Sequence, residues 1–198
     1  SSYSMLLTGL GRHNEAIMEA KKAAELDPLV SYHQAMIINA YNFAGRYEEA
    51  IAYCLKTEKN YPENFMFSYF LGFAYHGLSK WEAAISAYER SQKISGGTQL
   101  VLANLIVAYI EMDNRTKADE LFKDLELLAK EIYVLPTHFY KIHYARQEEE
   151  LAFEWLNRAV RERDGFIPFI RIHPYENIRI PQEKRYTDLL KEAGFKAS

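Results

Sequence analysis

Six histidines, one cysteine and a glycine pair are the residues here that could do chemistry, and their spacing limits what they can do. His13, His33, His76, His138, His143 and His173 are scattered along the chain. A zinc site on one helix takes histidines at i and i+4, often with a carboxylate nearby. His138 and His143 are five apart and no HExxH is present, so no metal site is expected, and His143 is expected to pack a helix pair. Gly9-Leu10-Gly11 lacks a GxGxxG or GxxxxGK[ST] context and follows no strand; it reads as a turn between helices. No GxSxG elbow occurs, and no Ser/His/Asp order stands out. Cys54 falls on an apolar stripe and reads as an inert core thiol rather than a nucleophile. Glu148-Glu149-Glu150 opens a helix, where carboxylates complement the positive end of the helix dipole. No enzyme activity and no cofactor are expected.

What, then, must these residues be part of? The chain has 198 residues, 48% apolar and 26% charged, the balance of a folded chain rather than a disordered one. Nine glycines and six prolines are too few for a turn-dense all-β fold. Lys and Arg number 24 against 27 Asp and Glu, a net charge of −3, which leaves no basic excess for a nucleic-acid backbone. From Arg158 to Lys191 eight Lys/Arg stand against five Asp/Glu, a mild bias that a solvated helix face explains. A single cysteine excludes an internal disulfide framework. No apolar run reaches the ~18–20 residues of a membrane span, and the first residues lack the basic start of a signal peptide. A cytoplasmic protein is the expectation, with no membrane and no direct nucleic-acid partner.

Self-comparison organises the rest. Ala16, Ala50, Ala84, Ala118 and Ala152 follow one another at 34 residues. Nine residues ahead of three of them stand Tyr41, Tyr75 and Tyr109, and His143 takes the fourth such place. Ile37-Ile38, Leu71-Gly72 and Leu105-Ile106 precede the tyrosines in the same phase, and Pro28 and Pro62 are also 34 apart. Each period reads as two amphipathic helices. Within 31–64, Gly45 can take the positive φ of a tight interhelical turn, and Pro62 stops the second helix. The small alanine lets the two helices approach, with the tyrosine filling the space beside it.

These residues resemble the tetratricopeptide repeat, with its W-x2-L-G-x2-Y, A-x3-F and P pattern over 34 residues. The best copy, 65–98, carries Leu71-Gly72, Tyr75, Ala84 and Tyr88, with Gly96 in place of proline. The resemblance implies an all-α, right-handed superhelix of about five helix-turn-helix repeats: a truncated copy at about 1–30, then 31–64, 65–98, 99–132 and 133–166. Residue 1 falls inside its repeat, so the chain looks cut from a longer protein, a frayed natural terminus being the other reading. In such arrays the first helix of each pair lines the concave surface. Carried onto this chain, those places give a groove of Tyr32, Asn39, Tyr69, Phe73, His76, Val107, Ile110, Lys141 and Tyr144. The groove is apolar with one clear positive charge. Ala35, Ala103 and Phe70 stand where relatives that clamp chaperone carboxylates use lysine or asparagine, which argues against that partner.

Past Asp164-Gly165 the period fails. Residues 167–198 read as an extended tail with Pro168, Pro174 and Pro181, then one short helix over about 183–193 that Gly194 ends. The expected role is a cap, with Phe166, Phe169, Ile170 and Ile172 covering the last repeat and Tyr186, Leu189 and Leu190 packing after them. A segment lying in the groove is the sharper alternative. The ending also resembles the C-terminal arrays of bacterial tetratricopeptide regulators, through Ile172-His173-Pro174-Tyr175, Ile178-Arg179 and Tyr186 through Phe195.

The reading is therefore a non-catalytic interaction and regulatory module, the C-terminal part of a larger bacterial signalling or transcription-regulating protein. Its groove takes a peptide or helix of a protein partner, itself as a homodimer, or an upstream domain of the same chain. The alternative is a small-molecule-sensing or self-assembly module controlling an upstream effector. Tyr69→Ala with Phe73→Ala is expected to abolish partner capture with little effect on melting.

Overall fold

A computed structural model describes residues 2–176 and 178–195, and expectations touching residues 1, 177 and 196–198 lie outside them. Ten helices form five consecutive pairs: α1 (Ser2–Gly9) with α2 (His13–Leu26), α3 (Ser31–Phe43) with α4 (Tyr47–Thr57), α5 (Phe65–Gly77) with α6 (Trp81–Ser95), α7 (Gln99–Glu111) with α8 (Arg115–Glu131), and α9 (Pro136–Ala145) with α10 (Glu149–Arg161). Two short helices follow, α11 (Ile167–Arg171) and α12 (Lys184–Glu192). The described residues contain no strand. The fold is the expected all-α stack.

Local sequence accounts for the helix ends. The Asn64 side chain accepts the Met66 N–H at 3.0 Å, and Asn114 accepts that of Lys117 at 3.2 Å, each satisfying an orphan donor of a first turn. The turns inside the pairs share one conformation at one period: φ is +74° at Gly11, +70° at Gly45, +54° at Ser79, +56° at Asp113 and +63° at Gln147. Glycine takes this left-handed backbone freely, whereas the other three bear a cost of roughly 1–2 kcal/mol each. The last pair starts late, at Pro136 rather than near 133, because α8 runs on to Glu131 and proline then occupies the first turn of α9.

The periodic alanines are the contact points of the pairs. Ala16, Ala50, Ala84 and Ala152 are fully buried and Ala118 nearly so. Gly72 does the same for α5 and α6: a Cβ there would lie 2.6 Å from the ring of the fully buried Tyr88. First helices also meet across repeats, α1 on α3, α3 on α5 and α7 on α9. Together they form the inner face that the tail crosses.

The tail differs from its expected extended form. Pro168 sits in the first turn of α11, a five-residue helix over part of the apolar segment. Tyr186, Leu189 and Leu190 of α12 pack on Tyr140, Ala152, Leu156 and Ala159, closing the last pair as a cap should. Phe169, however, lies against the Phe43 ring (centroids 5.6 Å apart) in the second repeat, and a Cβ at Gly9 would meet Pro168 at 3.3 Å in the first. The tail thus reaches from the last repeat back to the first.

Candidate functional site

The concave face is built by α3, α5, α7 and α9, and the tail divides it in two. One part is filled. Tyr175 stacks on His76 (4.5 Å between centroids, 14° between planes) and lies 4.8 Å from the Phe73 ring, while its hydroxyl donates to the Phe73 carbonyl. His173 packs between Phe43 at 5.6 Å and Phe73 at 5.2 Å, and its Nδ1 accepts the Tyr175 N–H at 3.2 Å. The tail is tied down at its own bend: Arg179 Nε donates to the His173 carbonyl at 2.6 Å, and the Tyr140 hydroxyl donates to the Arg179 carbonyl at 3.1 Å. Burial holds the imidazoles neutral. It pushes His76 down to about 3 and His173 well below the usual range, with the Lys141 charge adding to both.

The other part is a pocket of about 220 Å³, walled by α3, α5, α7 and the start of the tail, with Met5 of α1 and Lys141 of α9 completing it. Tyr32, Asn39, Tyr69, Phe73 and Lys141, all expected in the groove, line it together. A polar chain crosses its floor from α9 to α5: Lys141 Nζ donates to Asn104 Oδ1 at 2.8 Å, and Asn104 Nδ2 donates to the Tyr69 hydroxyl at 2.6 Å. Burial pushes the Lys141 amine down to about 7, against a weaker opposing pull from Asp164, and raises the Tyr69 phenol.

The remaining expected groove residues lie elsewhere. His76 is under Tyr175, Val107 is fully buried in α7, and Ile110 borders a polar cleft with Arg115 and Arg146. Tyr144 stacks on Tyr140 at 5.6 Å beside the α12 cap. The sequence reading missed Met36, Phe43, Asn104 and the tail residues Phe166, Phe169 and His173 as lining. For Met36 and Asn104 a signal existed: with Phe70 and His138 they share one phase of the 34-residue period.

The other chemistry-bearing side chains are occupied structurally. The Cys54 thiol donates to the Phe67 carbonyl at 3.3 Å and is pushed up to about 12 by burial, so it stays protonated at neutral pH. His143 Nδ1 pairs with Glu148 at 2.5 Å across the turn between α9 and α10. Among the described residues no cluster of three or more His, Cys, Asp or Glu could hold a metal ion, and no helix is long and apolar enough to cross a membrane.

With this geometry in view, a tetratricopeptide repeat family model matches residues 2–28. No curated protein matches the sequence. A thermophilic TPR protein of Thermus thermophilus is similar in structure with a TM-score of 0.68, at 14% identity over 86% of this chain and 94% of its own. A tetratricopeptide repeat protein from Parabacteroides merdae gives 0.53 at 15% identity over 98% of this chain and 72% of its own. The structure of Naa15/Naa10 bound to HypK-THB gives 0.57 at 13% identity, over 97% of this chain but only 33% of the matched one. At these identities the likeness is one of fold. The chain carries a tetratricopeptide repeat at its start and folds as a tetratricopeptide-repeat array.

Proposed function

We propose that the chain is a non-catalytic protein-interaction module whose concave face holds its own tail in one half and receives a peptide of a protein partner at the open half. The observation that carries this reading is the apolar pocket around Tyr32, Met36, Phe65 and Tyr69, which continues the groove beyond the point where Tyr175 fills it. Such a pocket suits one aromatic or aliphatic anchor of an extended peptide rather than a whole helix. The tail offers a second mode, in which a partner displaces residues 172–176 from Phe73 and His76. The module's context is cytoplasmic and regulatory, within a bacterial signalling or transcription protein, and it rests on the likeness of the tail to those of such regulators. Self-association through the same groove is the competing mode.

The test is a displayed library of short peptides selected on the whole chain. Binders are then remeasured by fluorescence polarisation on Tyr32→Ala, whose half-buried side chain can be removed without opening the core. At least tenfold weaker binding with unchanged circular dichroism is expected. Unchanged affinity would remove the groove from the reading, and a concentration-dependent mass in sedimentation would favour self-association.

A further inference from the structure

The pocket is lined by a buried amine and by no carboxylate. Lys141 enters its wall from α9 and is only 4% exposed. Its one hydrogen bond among the described residues is to the neutral Asn104, which is already committed to the Tyr69 hydroxyl. The groups facing it are His76 and Tyr69 from α5, His138 from its own helix, His173 from the tail and Asp164 from the turn after α10. The histidines are neutral. Asp164 favours the ammonium from a distance, but its carboxylate oxygens are taken by the N–H groups of Thr137 and Phe166 at 3.0 and 2.9 Å. A buried amine so placed has lost its water and gained only a distant carboxylate that accepts no hydrogen bond from it. The rest of the lining is nearly all aromatic and aliphatic, and Asn39, buried in the same wall, makes no side-chain hydrogen bond among the described residues. An apolar cavity of about 150 Å³ accommodates benzene, so 220 Å³ suits a molecule of roughly ten non-hydrogen atoms.

We propose that this pocket binds a small apolar monocarboxylate, its carboxylate paired with Lys141 and its hydrocarbon body against Tyr32, Met36, Phe65 and Phe169. The complementarity is of charge as well as shape: the ligand brings the anion that the pocket lacks. Binding then carries a proton with it above neutral pH, because a carboxylate beside the amine restores its ammonium form. This inference goes beyond the interaction reading and does not depend on it.

The experiment is isothermal titration calorimetry of octanoate into the whole chain at pH 8, in two buffers of different ionisation enthalpy. Octan-1-ol and octylamine serve as controls of equal chain length. Octanoate is expected to bind at least tenfold more tightly than either and to take up a fraction of a proton. In Lys141→Met the octanoate preference is expected to disappear. Equal affinity for octanoate and octan-1-ol, absence of octanoate binding, binding without proton uptake, or unchanged octanoate affinity in Lys141→Met would each overturn the proposal. The proton uptake is read on the unmodified chain and decides the matter even if the variant fails to fold. Peptides that need Tyr32, alongside no octanoate binding, would leave the interaction module standing and remove this site.

Discussion

The two halves of the concave face share the same helices and differ in what completes them. Around Phe73 and His76 the chain supplies its own ligand: two tail rings, His173 and Tyr175, fill the space. Around Tyr32 and Lys141 the same inner face stays unfilled and keeps a desolvated cation. The filled half is held together by burial and stacking, so removing its parts should destabilise. The open half holds a group that opposes folding, so removing that group should stabilise. A stretch that lowers stability without packing a core is where a binding role is expected.

The pH dependence gives the largest expected contrast. His76, His138 and His173 have folded-state pKa values below their unfolded ones. Between those limits the unfolded chain binds more protons, so the stability that the three histidines contribute is complete above about pH 6.5 and lost as pH falls. For His76 the loss by pH 5 is about 2 kcal/mol, and His138 and His173 add to it in the same direction. Thermal melts from pH 4 to 8 should show a steep acid limb, and a flat profile would mean that the tail is not seated on these rings. Lys141 acts in another window. Its pKa also falls on folding, so stability should rise with pH from about 7 until the buried tyrosines, raised on folding, reverse the trend above pH 10.

Removing the tail anchor comes next. Tyr175→Ala forfeits the contacts with Phe73, His76 and His173, and about 3–5 kcal/mol is expected in urea unfolding. Limited proteolysis should then cut between residues 166 and 183 while α3 to α8 remain protected. The same contacts make Phe73 a structural residue, so Tyr69→Ala with Phe73→Ala should lower the melting temperature markedly instead of leaving it nearly unchanged.

In the open half the sign reverses. Lys141→Met should stabilise the chain by about 1–3 kcal/mol at pH 7, the lost bond to Asn104 offsetting part of the gain. It should also erase the rise in stability between pH 7 and 10. A destabilised Lys141→Met would mean that the amine is better compensated than its neighbours indicate, and would blur the contrast. The smallest effect belongs to the rim: Tyr32→Phe removes a hydroxyl that donates to Met5 Sδ at 3.0 Å and should change stability by no more than about 0.5 kcal/mol.

Much of the array was legible because its determinants are short-range. The 34-residue spacing of Ala16 through Ala152 reports which residue meets which within a helix pair, and Gly11 and Gly45 mark turns whose conformation the period then imposes on Ser79, Asp113 and Gln147. Several groove residues followed from the same phase: Asn39, Phe73 and Lys141 occupy one register position, and all three line the pocket. Asn104 escapes an apolar pattern because it is a polar residue in an equally inward phase.

FIPFIRIHPY shows only that an apolar, proline-broken segment needs cover, a need that a cap on the last repeat and a seat in the groove both meet. Which surface supplies that cover depends on contacts such as Tyr175 with Phe73, 102 residues away. The helix pairs, their turns and the alanine contacts follow from residue order, since they depend on spacing along one or two helices. Three-dimensional packing is what turns the tail back toward the first repeat, fills one half of the groove and leaves the other open, and buries Lys141 without a hydrogen-bonded carboxylate. Those outcomes depend on the curvature of the whole stack, through which residues far apart in sequence come to share one small volume.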